Sequence, residues 1–402
     1  MLVTFLVFAL FSMMLLGAVL WWLWPSSRVS TSVPGLSPSH QLLGNIPNIK
    51  DAGGLQHFLH ELHQRHGMLA SFWIGDFLAI SLGSLNIFKL VDDCKDTKPF
   101  LSLVPITIDP DILERKTKDA SNINLLLNNF SPFSDQWNDS KRSRVTALTE
   151  ELLSALETVG EEDQVPINEY VKALAVKIVT ETSNKIEKMK VDPNELRQRY
   201  VNLGLDVDAL LDSEDDLSKD RKEKLFQQAS DFIKLVNEKN AASVFGDITV
   251  ITALAVWCLY YAARNQFKLR DEKNISLFIF EVMRATAILP VTSRVLQRSV
   301  TILGHTVEEG TLVLNSLSAV CWDEKRFPNA REPNIQRNNL GEFQNLFPTA
   351  DQSFTLTVVR IIVRMFIERF TLTLADPDLC VGTKFNMVNK PDCDIWLKLK
   401  KN

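Results

Sequence analysis

Glu281 and Arg284 stand three residues apart in the segment Phe280-Glu-Val-Met-Arg284, the spacing at which a carboxylate and a guanidinium share one helix face and can form a charge-assisted pair. A pair on a solvated surface is the plain alternative. His57, His60, His63 and His66 recur every third residue. Each step turns such a stripe by about 60°, so no more than two or three of its members could converge on one metal ion, and no acidic partner stands at a suitable spacing. A solvated helix flank is the simpler reading. The five cysteines, Cys94, Cys258, Cys321, Cys380 and Cys393, are odd in number, widely spaced and without a C-x-x-C pair, which indicates neither a disulfide framework nor a zinc cluster. His305 is the one histidine beyond His66, which excludes catalysis by several histidines in the C-terminal half.

These residues must be placed by a chain of 402 residues, 46% hydrophobic and 23% charged, which is ordinary globular usage. Lys and Arg total 44 against 49 Asp and Glu, a net charge of -5 that disfavours a nucleic-acid partner. Residues 1–27 carry no charge, and Leu2 to Trp24 is apolar except for Thr4, Ser12 and Gly17. As a helix that run reaches roughly 35 Å, enough to cross a bilayer core. Trp21, Trp22 and Trp24 would sit at the headgroup level, and Pro25 ends the helix. A basic n-region and a small-residue cleavage site are lacking, so the segment reads as a retained single-pass anchor. Arg28 and Lys50 on its C-terminal side favour a cytosolic body.

Residues 28–48 read as a Pro/Gly/Ser linker, and the folded body is expected over 49–402. Leu55, Phe58, Leu59 and Leu62 predict an amphipathic helix over 54–66, ended at His66-Gly67. Two alternating runs, Leu69 to Ile74 and Phe77 to Leu82, predict a hairpin turning at Gly75-Asp76. The middle, 100–245, is expected to be mostly helical, with helical spacing over Glu150 to Leu156, Ile167 to Thr182 and Lys224 to Val236. Ile248 to Ala263 is nearly unbroken apolar sequence, short for a second span and followed at once by charges, which fits a central helix buried all round.

From Phe280 to Arg337 the order of motifs is E-x-x-R (Glu281, Arg284), then Leu289-Pro290, short strands near Gly304-His305 and Gly310-Thr311-Leu-Val-Leu314, then Phe327-Pro328 before Arg337. This order resembles the C-terminal half of a cytochrome P-450. The resemblance implies that Glu281, Arg284 and Arg337 form a buried structural triad. The anchor, the hinge, Ser71-Phe-Trp-Ile-Gly75, Glu150-Glu-Leu-Leu153, Val165-Pro166 and Trp257 look most like the orphan family 20 (subfamily A), of which this chain would be a divergent or truncated copy. The implied fold is mainly α with small β-sheets, preceded by one transmembrane helix. The implied function is that of a haem monooxygenase at the endoplasmic reticulum membrane, fed by a flavoprotein reductase and acting on a small apolar substrate. Trp137 with Lys141 and Arg142 is similar to the family's W-x-x-x-R segment, and Arg294 to the cation of the following strand, so these four would hold the haem propionates.

The sequence departs from the family at the iron ligand. A P-450 needs a cysteine thiolate just before the last long helix, here expected over Phe354 to Phe370. Asn338 to Ser353 contains no cysteine; the ligand position falls near Thr349, and only Phe343 and Gly341 echo the residues that flank it. Asp247 and Thr252 are the nearest polar groups on the central helix, without the family's acid-and-threonine pair. The interval from Trp257 to Glu281 is also short of the helices that normally intervene. No catalytic residue or metal ligand is identifiable, and the alternative is a non-catalytic, membrane-anchored interaction protein.

Overall fold

The hydrophobic pattern that opens the body becomes a short helix, α1 (Ile46–Asp51), followed by α2 (Leu55–His66). Leu55, Phe58, Leu59 and Leu62 are buried, and Gly67 takes a φ of 85° where a side chain would be strained, so the helix stops there. The structure is a computed structural model that describes residues 13–16, 31–92, 98–99, 126, 133, 135–186, 190–212, 219–265, 272–337, 341–344, 347 and 352–402. Most of the expected anchor, Cys94 and Thr349 lie outside the described residues; Met13–Leu16 are helical and exposed.

Strands β1 (Leu69–Ile74) and β2 (Phe77–Leu82) pair as the expected antiparallel hairpin, with Ile74 opposite Phe77. After α3 (Leu85–Asp92) and β3 (Lys98–Pro99) the chain becomes helical: α4 (Arg142–Leu156), the two-residue β4 (Val165–Pro166), α5 (Ile167–Thr182), α6 (Pro193–Asp212), α7 (Lys219–Val236), α8 (Glu238–Asn265) and α9 (Glu272–Ala285). Then come β5 (Val291–Val295), β6 (Val300–Ile302), β7 (His305–Val307) and β8 (Leu312–Ser316). Helices α10 (Leu317–Cys321), α11 (Gly341–Gln344) and α12 (Phe354–Arg369) and strands β9 (Phe370–Leu374), β10 (Thr383–Asn386), β11 (Val388–Pro391) and β12 (Trp396–Lys401) complete the chain.

The largest sheet runs β1-β2-β8-β5-β3. Its β2–β8 pairing is parallel, with Ile80 beside Val313, and joins the two ends of the body. A second sheet, β4-β12-β9, closes the C-terminus against the start of α5. The architecture is therefore mainly helical with small sheets, consistent with the P-450 fold.

Helix α8 is the axis of the main core. Ile248, Leu254, Ala255, Cys258 and Leu259 are fully buried, and the helix's polar tips are satisfied by chain remote in sequence: the Trp257 indole donates to Asn389 O at 2.9 Å and the Tyr261 hydroxyl to Arg331 O at 3.1 Å. It is the one described helix long and apolar enough to cross a membrane, but 83% of that window lies inside the protein, as a core helix requires.

The histidine stripe corrects the expectation of a solvated flank. His57 stacks on Trp322 at 5.4 Å and His60 meets the same ring edge-on at 6.0 Å. His63 donates from Nδ1 to the Gly67 carbonyl at 2.7 Å, which leaves Nε2 to accept from the Ser81 hydroxyl at 2.7 Å. Burial pushes its pKa down to about 4. His57 and His60 pack against a tryptophan remote in the sequence, which periodicity cannot register.

Candidate functional site

The start of α12 is held by a short pairing with the chain before α4. Phe354 N donates to Asp135 O at 3.0 Å and Trp137 N to Gln352 O at 3.0 Å, and the Trp137 ring stacks on Phe354 at 6.3 Å. Ser353 caps the helix by accepting from Leu356 N. Around this junction lies a buried polar cluster drawn from four elements. Thr355, on the first turn of α12, donates to Asp247 Oδ1 of α8 at 3.0 Å, and Lys185 Nζ donates to Asp247 Oδ2 at 3.1 Å and to Ser243 Oγ. Ser183, beyond α5, donates to Asp135 Oδ2 at 3.1 Å.

Asp247 is wholly buried, and desolvation pushes its pKa up to about 6 against the downward pull of Lys185 and Thr355. Both carboxylate oxygens accept hydrogen bonds, so the group is tied into the structure rather than presented to a substrate. Thr252 lies elsewhere: its hydroxyl donates to Ile248 O at 2.7 Å within α8.

The proposed propionate donors are distributed over several partners. Lys141 is buried; its ammonium donates to Thr182 O and, at 2.6 Å, to Asn184 Oδ1, neutralising the carbonyl end of α5. The Trp137 indole donates to Asp139 Oδ1 at 2.9 Å, and Arg142 donates to the same oxygen at 3.1 Å while lying over the indole. These donors hold Asp139 below the usual carboxylate range. Arg294 sits in β5 opposite Val313, on the large sheet. Trp137 and Arg142 thus share one carboxylate of the chain, Lys141 faces α5, and Arg294 belongs to a separate layer.

A second cluster lies where α9 meets the loop after α10. Arg284 Nε donates to Glu281 Oε1 at 2.7 Å and Nη2 to Oε2 at 3.1 Å. Its other N–H groups reach Cys321 O at 2.8 Å, Ala330 O at 2.7 Å and Glu332 O at 3.2 Å, so all five donors are used in a fully buried site. Arg337 Nε adds a bond to Glu281 Oε2 at 3.0 Å, as does Asn334 N at 2.7 Å. Phe327 covers the guanidinium of Arg284 at 4.7 Å. The cluster is fully buried and pins three stretches of chain, so its task is structural.

A mainly helical body with small sheets, whose E-x-x-R helix is locked to a later loop arginine, is consistent with the P-450 fold. Sequence comparison sharpens this. Cytochrome P450 20A1 of Mus musculus is 24% identical over 471 aligned positions, covering 99% of this chain and 99% of the relative. The proteins of the same name from Homo sapiens and Bos taurus are each 24% identical with the same coverage. Over its whole length the chain is thus similar to cytochrome P450 20A1. No family model matches the sequence. Since 471 aligned positions exceed the chain's 402 residues at 99% coverage of both, the relatives carry several tens of residues that this chain lacks within the aligned span.

Haem is the cofactor of this family, and the described residues do not fit it. The Asp247–Thr355 hydrogen bond ties α8 to the start of α12, the helix that the family's iron ligand would precede. The indole and guanidinium donors already share Asp139. Among the described cysteines none lies in the approach to α12: Cys258 is on α8, Cys321 ends α10, and Cys380 and Cys393 follow α12. Burial pushes the Cys321 thiol up to about 12 and that of Cys258 well above the usual thiol range, which keeps both from being thiolates. Among the described residues no group of three His, Cys, Asp or Glu is arranged for a metal ion.

Lys185, Asp135, Ser183 and Thr355 were not candidates from the sequence. The signal was there only for Asp247, an acid inside an otherwise apolar helix, which must find a donor when buried.

Proposed function

We propose that this chain is a membrane-anchored P-450-type protein, by family resemblance a haem monooxygenase, and that this form has lost turnover with its axial cysteine. The family reading supplies a flavoprotein reductase as partner, a small apolar substrate, and an endoplasmic reticulum membrane with the body on the cytosolic side. It is supported by the full-length similarity and by the Glu281–Arg284–Arg337 framework. The loss of turnover is supported by one observation above others, the absence of a cysteine from Asn338 to Ser353. The alternative, a non-catalytic, membrane-anchored interaction protein, has no observation of its own in its favour. Trp137, Lys141, Arg142 and Arg294 serve packing and capping in this form, and 49–402 is one incomplete P-450-like domain behind the anchor (1–27) and the linker (28–48).

The purified protein, reduced under carbon monoxide, tests this. A thiolate-ligated haem gives a Soret band at about 450 nm. The expected spectrum lacks it; its presence would restore the monooxygenase reading. The tether is tested separately: removing residues 1–27 should release the body from membranes, and retention through a high-salt wash would show that another surface carries the attachment.

A further inference from the structure

A cavity of about 460 Å³ opens on the side of α8 turned away from Asp247. Thr249, Thr252 and Val256 lie two, five and nine residues beyond Asp247, about 140–200° round the helix from it. With Phe245 they form one wall; Tyr200 and Gly204 of α6 form the other. The volume lies in the range of sites that enclose a small organic ligand. The charges at its mouth are already answered. Glu169, Asp392 and Asp394 stand there with Lys172, Lys384 and Lys390, so the signs balance. Glu169 accepts from Lys172 at 2.6 Å, Asp392 from Gly382 N at 3.0 Å and Asp394 from Asn168 at 3.2 Å, and the other two lysines are engaged within the protein. A charged ligand would give up its hydration here for no uncommitted counter-charge, which selects a neutral one.

The hydroxyls of the wall select further. Thr249 donates to Phe245 O at 2.7 Å and Thr252 to Ile248 O at 2.7 Å. Since the Thr249 proton is spent, Tyr200 is the donor in its 3.1 Å contact with Thr249. All three hydroxyl protons are thus committed to the protein, while among the described residues no donor reaches the Thr252 oxygen. The wall complements a ligand that donates. We propose that this cavity binds a neutral, mainly apolar alcohol, its hydrocarbon body between α6 and α8 and its hydroxyl donating to Thr252. Burial of the body supplies affinity, and the hydroxyl supplies selectivity, since a ketone of the same skeleton finds no proton to accept. The site needs no haem, so it stands apart from the loss of turnover.

The test uses the full chain in lipid nanodiscs, with cyclododecanol, cyclododecanone and protonated cyclododecylamine as probes. The readout is the alkylation rate of Cys393, which lines the cavity, by iodoacetamide, measured by peptide mass spectrometry against exposed Cys380 as internal control. Burial and the neighbouring Asp392 and Asp394 push the Cys393 thiol up, so the reaction is run in mildly alkaline buffer. Cyclododecanol should slow Cys393 and leave Cys380 unchanged; the ketone should need a concentration about five-fold higher, the worth of one neutral hydrogen bond, and the amine more still. Thr252→Val keeps the shape and removes the acceptor, so it should bring alcohol and ketone to equal potency. Gly204→Phe should abolish protection by both, because a Cβ at Gly204 meets nothing within 4 Å and the ring enters open space. Where Gly204→Phe fails to fold, the Thr252→Val comparison decides alone. Equal slowing of both cysteines, equal potency of alcohol and ketone in the parent protein, a preference that survives Thr252→Val, protection that survives Gly204→Phe, or an amine as potent as the alcohol would overturn the proposal.

Discussion

Replacing Glu281 by Ala would strand two guanidinium groups, one of them wholly buried with its remaining donors fixed on main-chain carbonyls. Breaking a buried pair from one side costs about 3–5 kcal/mol, so Glu281→Ala should lose stability on that scale in chemical denaturation; a change within about 0.5 kcal/mol would place the carboxylate in solvent. The i, i+3 half of this cluster was legible from spacing, whereas Arg337 required the motif order that follows it, because its contact with Glu281 spans a loop. Asp247 gives a prediction of opposite sign to most carboxylates. Its folded pKa of about 6 lies above the ordinary value of 3.8, so between those values the folded chain binds more protons than the unfolded one and stability falls as pH rises. A difference of about 2 in pKa corresponds to on the order of 3 kcal/mol. Asp247→Asn should remove that loss: from pH 4 to pH 7 the wild type should weaken relative to the variant, and parallel pH profiles of unfolding would refute a raised pKa for the buried carboxylate.

Elements were legible where their signals are local. The α2 stripe ends at a glycine with positive φ, the hairpin alternates and turns at Gly75-Asp76, and the apolar run of α8 leaves no polar face. Pairings between remote elements were not: β2 beside β8, the histidines of α2 under Trp322, and α8 against α12 all depend on what chain distant in sequence brings. The junction at α12 is the most exacting of these, since its first turn is fully buried and its leading N–H groups have no water to turn to. Ser353 supplies the cap to Leu356 N. Ser353→Ala should therefore cost about 1 kcal/mol or somewhat more, measured as a lower unfolding midpoint, while Ser353→Asp, which keeps a capping oxygen, should recover part of it. Equal loss in both variants would mean that the position matters for size and not for capping.

At the scale of the whole molecule, framework and cofactor layer come apart. The Glu281 cluster, the two terminal sheets and the central helix keep a P-450 body standing, while the face of α8 that carries Asp247 is bonded directly to the helix that should follow an iron ligand. The missing cysteine was legible as a gap in Asn338 to Ser353; the closure was not, since it needed Lys185 and Thr355 to arrive from other elements. These two losses predict different outcomes when only one is reversed. If the ligand alone were lacking, cysteine introduced at Thr349, or at another position from Phe347 to Asp351, would raise haem occupancy and give the band at about 450 nm. Because the Asp247–Thr355 contact would remain, each single-cysteine variant should instead stay without that band, and its heat stability should match the parent's with or without added haemin, since a ligand stabilises only a state that binds it. A thiolate spectrum from Thr349→Cys alone would show that α8 and α12 part at little cost, and the missing cysteine would then be the whole reason this form does not turn over.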